Sequence, residues 1–265
     1  MTLSLPKAAV AVLSAAQPAD KVRLTRDYAA AWQAGDMPSV GPAEPPRHPA
    51  RPDRPALRRP GDMPKRRAGG VRGRIALLHA LAHIELNAID LAWDLIARFA
   101  GEPLPCTVSD DWVSVAEEEA KHFELLAGRL AELGAAYGDL PAHDGLWQAA
   151  EETAHDLLAR LAVVPLVLEA RGLDVTPAMI EKLKAAGDPE SAAVLQVIYD
   201  EEIGHVAAGK RSFDFFCEKR GLEPLATWQD LVRRHFKGAL KPPFNTEARD
   251  RAGFPAEYYA PLAAP

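Results

Sequence analysis

Apolar residues recur every three or four positions through most of this chain, the period of an amphipathic helix. Ile75, Leu78, Leu81, Ala82, Leu86, Ile89 and Trp93 predict one helix over 72–100, stopped by Gly101 and Pro103. Ser109 is the expected N-cap of a second helix, over 110–133 and ended by Gly134. A third starts near Asp144, carries Leu158, Leu161, Val164 and Leu168, and ends at Gly172; a short helix from Pro177 to Ala186 follows. A fourth runs over 189–220 and is closed by Gly221, and a further helix over 227–240 precedes a Pro-rich, irregular tail. Upstream, Ala8 to Ala16 and Ala19 to Ala34 read as short helices, the second with Val22, Leu24, Tyr28, Ala29 and Trp32 on its apolar face. A strand period of two is found nowhere. The fold class is therefore all-α. Four long helices with short first and third connections and a longer second one predict a four-helix bundle over 71–221. Residues 1–70 and 222–265 add further helices and irregular segments that dock on it.

Composition fits such a fold. With 265 residues, 48% hydrophobic and 26% charged, the chain is globular rather than disordered or fibrous. Charge divides it: residues 1–75 hold 14 basic and 6 acidic side chains, net +8, against −14 for the remainder. Eleven of the 23 prolines also precede residue 76. The segment from Gly41 to Gly70 cannot build a core and is expected as a linker or an arm lying across the main body. Cys106 and Cys217 form no Cys-x-x-Cys pattern, so a disulfide scaffold is excluded and a reducing cytoplasm is the default location. Lys7 and the alanines after it lack the basic lead-in and Leu-rich centre of a signal peptide. The apolar run Leu157 to Leu168, broken by Arg160 and Pro165, falls short of the roughly 20 residues a bilayer requires. No membrane partner is expected.

The chemistry lies in acids placed inside apolar stripes. Glu119-Ala120-Lys121-His122 and Glu202-Ile203-Gly204-His205 are two Glu-x-x-His motifs on separate predicted helices. Three residues of helix bring both side chains to one face about a turn apart. Glu85 and Glu169 are single acids in the apolar stripes of the two preceding helices, and Glu169 follows a run where an unpaired carboxylate is expensive to bury. The interval is 34 residues from Glu85 to Glu119 and 33 from Glu169 to Glu202, so a helical hairpin with the same acids occurs twice. Two facing hairpins would bring four carboxylates and two imidazoles together, the ligand set of a two-metal carboxylate site. Iron is the first choice, and manganese or zinc accept the same donors.

With 37 acids in 265 positions, about one of the eight histidines should follow an acid by three residues through chance, and three do: His122, His155 and His205. Surface salt bridges would explain Glu117 to Lys121 but not Glu169. Glu152 and His155 lie four to five turns from Glu169 on the same predicted helix and read as a surface pair. His79, His83 and Glu85 cannot all face one metal, so packing or a hydrogen bond to a ligand carboxylate is favoured over direct ligation for the two histidines. Asp200 is a further candidate to hydrogen-bond a ligand histidine. Pro165 should free the Leu161 carbonyl and kink the third helix, either opening a path to the site or fitting the bundle.

The strings LLHALAHIELNAIDLAWD, DDWVSVAEEEAKHFELL, AHDGLWQAAEETAHDLLARLAVVPLVLEARGLDVTP and DEEIGHVAAGKRSF resemble a bacterial ferritin-like family labelled a domain of unknown function. The likeness covers roughly residues 70–220, and PPFN and RAGF near the C-terminus share it. The ligand order is also similar to that of di-iron tRNA-modifying hydroxylases. Carried over by position, the resemblance implies Glu85, Glu119, His122, Glu169, Glu202 and His205 as ligands of two metal ions. It implies a dioxygen-activating oxidoreductase with a small-molecule substrate, a pocket lined by Leu126, Leu168 and Trp93, and an electron donor. The alternatives are a ferroxidase-type protein without organic substrate and a non-catalytic assembly bundle. Arg54, Arg58, Arg59, Lys65, Arg66 and Arg67 offer phosphate contacts to a nucleic acid such as tRNA. No aromatic residue is interleaved among them, so docking on the acidic body, or on a homodimer partner, is the stronger expectation.

Overall fold

The computed structural model describes residues 3–59, 62, 63, 70–102 and 104–264, which leaves Lys65, Arg66, Arg67 and Pro103 outside the described residues. The chain divides into two compact units, Met1–Trp147 and Gln148–Pro265. Both are helical, as the apolar period requires.

The first unit holds α1 (Leu5–Ser14), α2 (Pro18–Gln33), α3 (Gly70–Arg98) and α4 (Cys106–Glu132). α3 and α4 form a long hairpin, with α1 packed on α3 and α2 on α4. Two-residue strands β1 (Leu57–Arg58) and β2 (Ala142–His143) pair in parallel. Leu78, Leu86, Ile89 and Trp93 of α3 meet Trp112, Leu126 and Leu130 of α4 in a core where none is more than 1% exposed. The Trp93 indole donates to Thr25 Oγ1 of α2 at 2.9 Å. α4 starts after Pro105, whose carbonyl accepts from the amides of Val108 and Ser109 at 3.0 and 3.2 Å. Ser109 is thus a buried first-turn residue rather than the cap.

A buried charge pair ties three helices together. Lys21 Nζ on α2 lies 2.6 Å from Asp90 Oδ1 on α3 and 3.1 Å from the Val12 carbonyl on α1. The Pro- and Arg-rich arm docks on the same unit. Arg98 donates to the Pro46 carbonyl, Trp147 to the Arg47 carbonyl, and Arg51 to Asn87 Oδ1 at 2.8, 3.1 and 2.5 Å. Arg54, Arg58 and Arg59 remain exposed. By length and composition α3 could cross a membrane, but 67% of its apolar window is buried inside the protein, as in a core helix.

The chain passes to the second unit within α5 (Gly145–Glu152). The single third helix expected from sequence is interrupted twice. Thr153 Oγ1 bonds the Ala149 carbonyl at 2.9 Å and Arg160 Nη2 bonds that of Ala150 at 2.6 Å, so side chains satisfy the end of α5. Asp156 then caps α6 (Leu157–Val163) by accepting from the Leu158 amide. A π-helical turn follows over Val164–Glu169, with the Ala170 amide reaching five residues back to the Pro165 carbonyl. The expected kink at Pro165 therefore takes the form of a widened turn.

α7 (Ala170–Ala185) runs through both Gly172 and Pro177, where a stop and a new start were expected. Pro177 has no N–H for the Leu173 carbonyl, and Asn245 Nδ2 supplies that bond instead, at 3.1 Å. α8 (Pro189–Lys219) folds back along α7 after an Asp188 cap, and Gly221 ends it with φ +65°. α9 is Pro224–His235, shorter than expected. The tail is not irregular: it holds α10 (Thr246–Arg251) and α11 (Ala256–Tyr259). Phe254 is buried there against Trp228, Tyr258 and Tyr259.

Candidate metal centre

The first unit brings three of the six expected ligands together. Glu85 comes from the middle of α3, Glu119 and His122 from one face of α4, and the hairpin presses the faces together. Glu85 is 3% exposed and the other two are fully buried. One ligand atom of each lies within 4.8 Å of the others. His122 Nδ1 stands 3.5 Å from Glu85 Oε2 and 3.4 Å from Glu119 Oε2. Glu85 Oε2 is buried and makes no hydrogen bond within the described residues.

Burial, followed by the nearby Glu119 charge, holds the Glu85 carboxyl well above the usual carboxylate range, with His122 opposing. Burial disfavours charge on His122 too. The pull of Glu119 and Glu85 outweighs it and raises the imidazole to about 11. The pocket thus favours a positive species between two carboxylates, whether imidazolium or a metal cation.

The second unit carries the other three. Glu202 and His205 lie on α8 with Nδ1 3.6 Å from Oε2, and His205 is 1% exposed. Glu202 Oε2 is a buried acceptor without a hydrogen bond among the described residues. Glu169 is the last residue of the π-helical turn, and its Oε2 is buried. The close approach of the turn to α8 fixes its level. A Cβ on Gly209 would stand 2.4 Å from Pro165 Cβ, so only glycine permits this contact. In an antiparallel hairpin, Glu169, four residues after Pro165, is then level with His205, four before Gly209.

The accessory candidates separate. His83 has both ring nitrogens engaged, Nδ1 with the Tyr137 hydroxyl at 2.8 Å and Nε2 with the His143 carbonyl at 3.2 Å. His79 Nε2 accepts the amides of Gly138 and Leu140 at 2.9 and 3.3 Å, and its ring stacks on Tyr137. These histidines organise the segment after α4. Tyr137 was not foreseen, although Gly134 and Gly138, both with positive φ, mark a built turn around it. Asp200 is exposed and accepts from Gln196 Nε2. Glu152 ends α5 and pairs with Lys237, while His155 sits in the break and meets the ring of His235. Of the expected lining residues, Leu126 and Trp93 are core, and Leu168 faces a cleft of about 290 Å³ in the second unit.

His83 gives the fold a pH dependence. Burial, then the Arg51 charge, depresses its imidazole from 6.5 to about 4. Below pH 6.5 the unfolded chain takes up a proton that folded His83 refuses, so stability present above 6.5 is lost towards pH 4. The loss should be on the order of 3 kcal/mol. Urea unfolding of the wild type and His83→Gln at pH 7 and 4.5 checks this: equal losses in both would place the titration elsewhere.

Comparison with other proteins gives a family and no activity. The family described as "Protein of unknown function (DUF455)" matches residues 14–260. An uncharacterized protein of Haemophilus influenzae is 40% identical over 260 residues, covering 91% of this chain and 88% of that protein. No solved structure matches the chain.

Proposed function

The chain belongs to the family of proteins of unknown function (DUF455), and from its residues we propose that it is a ferritin-like, two-metal carboxylate protein, an oxidoreductase that activates dioxygen at iron. In this reading the α3–α4 hairpin and the hairpin of α6, α7 and α8 face each other as a four-helix bundle. Glu85, Glu119, His122, Glu169, Glu202 and His205 would hold the two ions. The observation that carries it is the burial of Glu85, Glu119 and His122 within 4.8 Å of one another, two carboxyl groups that cannot both ionise unaided in an apolar core. Such a cluster is costly unless a cation neutralises it.

The donors fit the group. Glu85 Oε2 and Glu202 Oε2 are buried acceptors lacking hydrogen bonds among the described residues, the condition a coordinating oxygen requires. Four carboxylates balance two divalent cations, and carboxylate with imidazole suits iron or manganese. When bound, two irons supply reductive activation of dioxygen, with electrons from a separate donor. The protein's part is to keep water from the carboxylates through the surrounding core. It also fixes Glu169 through the π-helical turn, which marks functional positions in many helices. The cleft beside Leu168 favours an organic substrate over simple iron oxidation.

Metal analysis tests the reading. The full chain, expressed with iron available and purified without chelator, should carry about two Fe or Mn per chain. Less than a tenth of that, with no uptake on adding Fe(II) anaerobically, would refute it.

A further inference from the structure

The body of this chain is acidic, yet the cleft in the second unit is not. Arg171, Lys241 and Arg249 line it together with Asp174, three cations against one carboxylate. Asp174 is already neutralised: Arg249 Nε and Nη2 grip its two oxygens at 2.9 and 2.7 Å. The Arg171 side chain is 40% exposed and held at the rim, with Nη1 donating to the Lys241 carbonyl at 2.6 Å and, at 3.3 Å, to the Asp174 Oδ2 that Arg249 already grips. Lys241 is exposed on the opposing segment. Arg171 and Arg249 thus share a single carboxylate, and with Lys241 the cleft lining carries three positive groups against one acid. Leu168, Phe236, Leu240 and Phe244 supply an apolar wall below them.

We propose that this cleft binds a small organic anion with an apolar body, its charged end held by Arg171 and Lys241 and its body against Leu168, Phe236 and Phe244. A volume of about 290 Å³ accepts a molecule of roughly ten non-hydrogen atoms, at about 30 Å³ for each displaced water. A guanidinium and an ammonium at one mouth select a carboxylate or phosphate over a neutral or cationic head. Leu168 precedes Glu169, so the anion's apolar end lies against the turn that carries this ligand. Use of the cleft as the substrate site of the two-metal centre rests on the function proposed above; the binding itself does not.

Calorimetric titration of the full chain with octanoate, octanol and octylammonium tests it. Octanoate should bind once per chain, at least tenfold more tightly than octylammonium. The variant R171Q/K241Q should weaken octanoate at least tenfold and leave octanol unchanged. Lys241→Glu alone, a change at an exposed side chain, should do the same and guards against a folding defect in the double variant. Non-saturable octanoate binding, equal binding of octylammonium, or unchanged affinity in both variants would overturn the assignment. Chelator-treated protein serves equally well, so a chain that binds octanoate but no metal would retain the cleft and lose the oxidoreductase reading.

Discussion

Glu85→Gln is expected to cut metal content from about two ions per chain to less than one while making the metal-free protein more stable, by about 1–2 kcal/mol. Both effects have one cause. Glu85 and Glu119 are buried together with a single imidazole between them. Burial and the Glu119 charge already resist ionisation of Glu85. Glutamine keeps the shape, removes an acid that burial and Glu119 keep from ionising freely, and offers a metal only a weaker neutral oxygen. Denaturation with and without chelator, together with metal analysis, reads both signs. A variant that kept its metal, or that was less stable than wild type under chelator, would mean that this carboxylate serves packing alone. A purely structural salt-bridge cluster would lose stability on losing an acid, so the sign separates the two readings.

Lys21→Met should cost about 3–5 kcal/mol, a large part of the 5–15 kcal/mol that holds a typical domain together. Lys21 and Asp90 are both wholly buried. Without the ammonium, Arg51 at 3.7 Å is the one cation left to the Asp90 carboxylate among the described residues, and the Val12 carbonyl keeps the Ala15 amide but loses its charged donor. The cost is mainly that of an uncompensated buried charge, so Lys21→Met with Asp90→Leu should recover most of it. Urea unfolding of the two single variants and the double variant gives the coupling. If the double variant is no better than Lys21→Met, the lysine acts through its stem rather than through the pair.

Local chemistry was legible where one physical rule acts alone. The apolar period of α3, α4 and α8 located these helices to within a few residues. The Glu-x-x-His spacing found Glu119 with His122, and the apolar stripe of α3 found Glu85 beside them. Distant residues decided what was misread. Pro177 reads as a helix start, but Asn245, 68 positions later, satisfies the carbonyl that proline leaves bare. Arg160 looks like an interruption in an apolar run, yet it closes the end of α5 by bonding the Ala150 carbonyl. Lys21 was unremarkable because nothing near it reveals Asp90. The strings PPFN and RAGF drew notice without a physical reading. Asn245 and Phe254 supply one, as a bond to α7 and as the centre of an aromatic cluster.

The π-helical turn over Val164–Glu169 has a geometric consequence. A turn of this kind holds one residue more than the α-helical turn it replaces, which advances the phase of all that follows by about 100°. Glu169, Arg171 and Asp174 therefore aim where they do because of the number of residues before them, not only because of their identity. Removing Val167 from this turn would leave Glu169, Arg171 and Asp174 in the chain and rotate this carboxylate and two rim groups of the cleft to a different side of the helix.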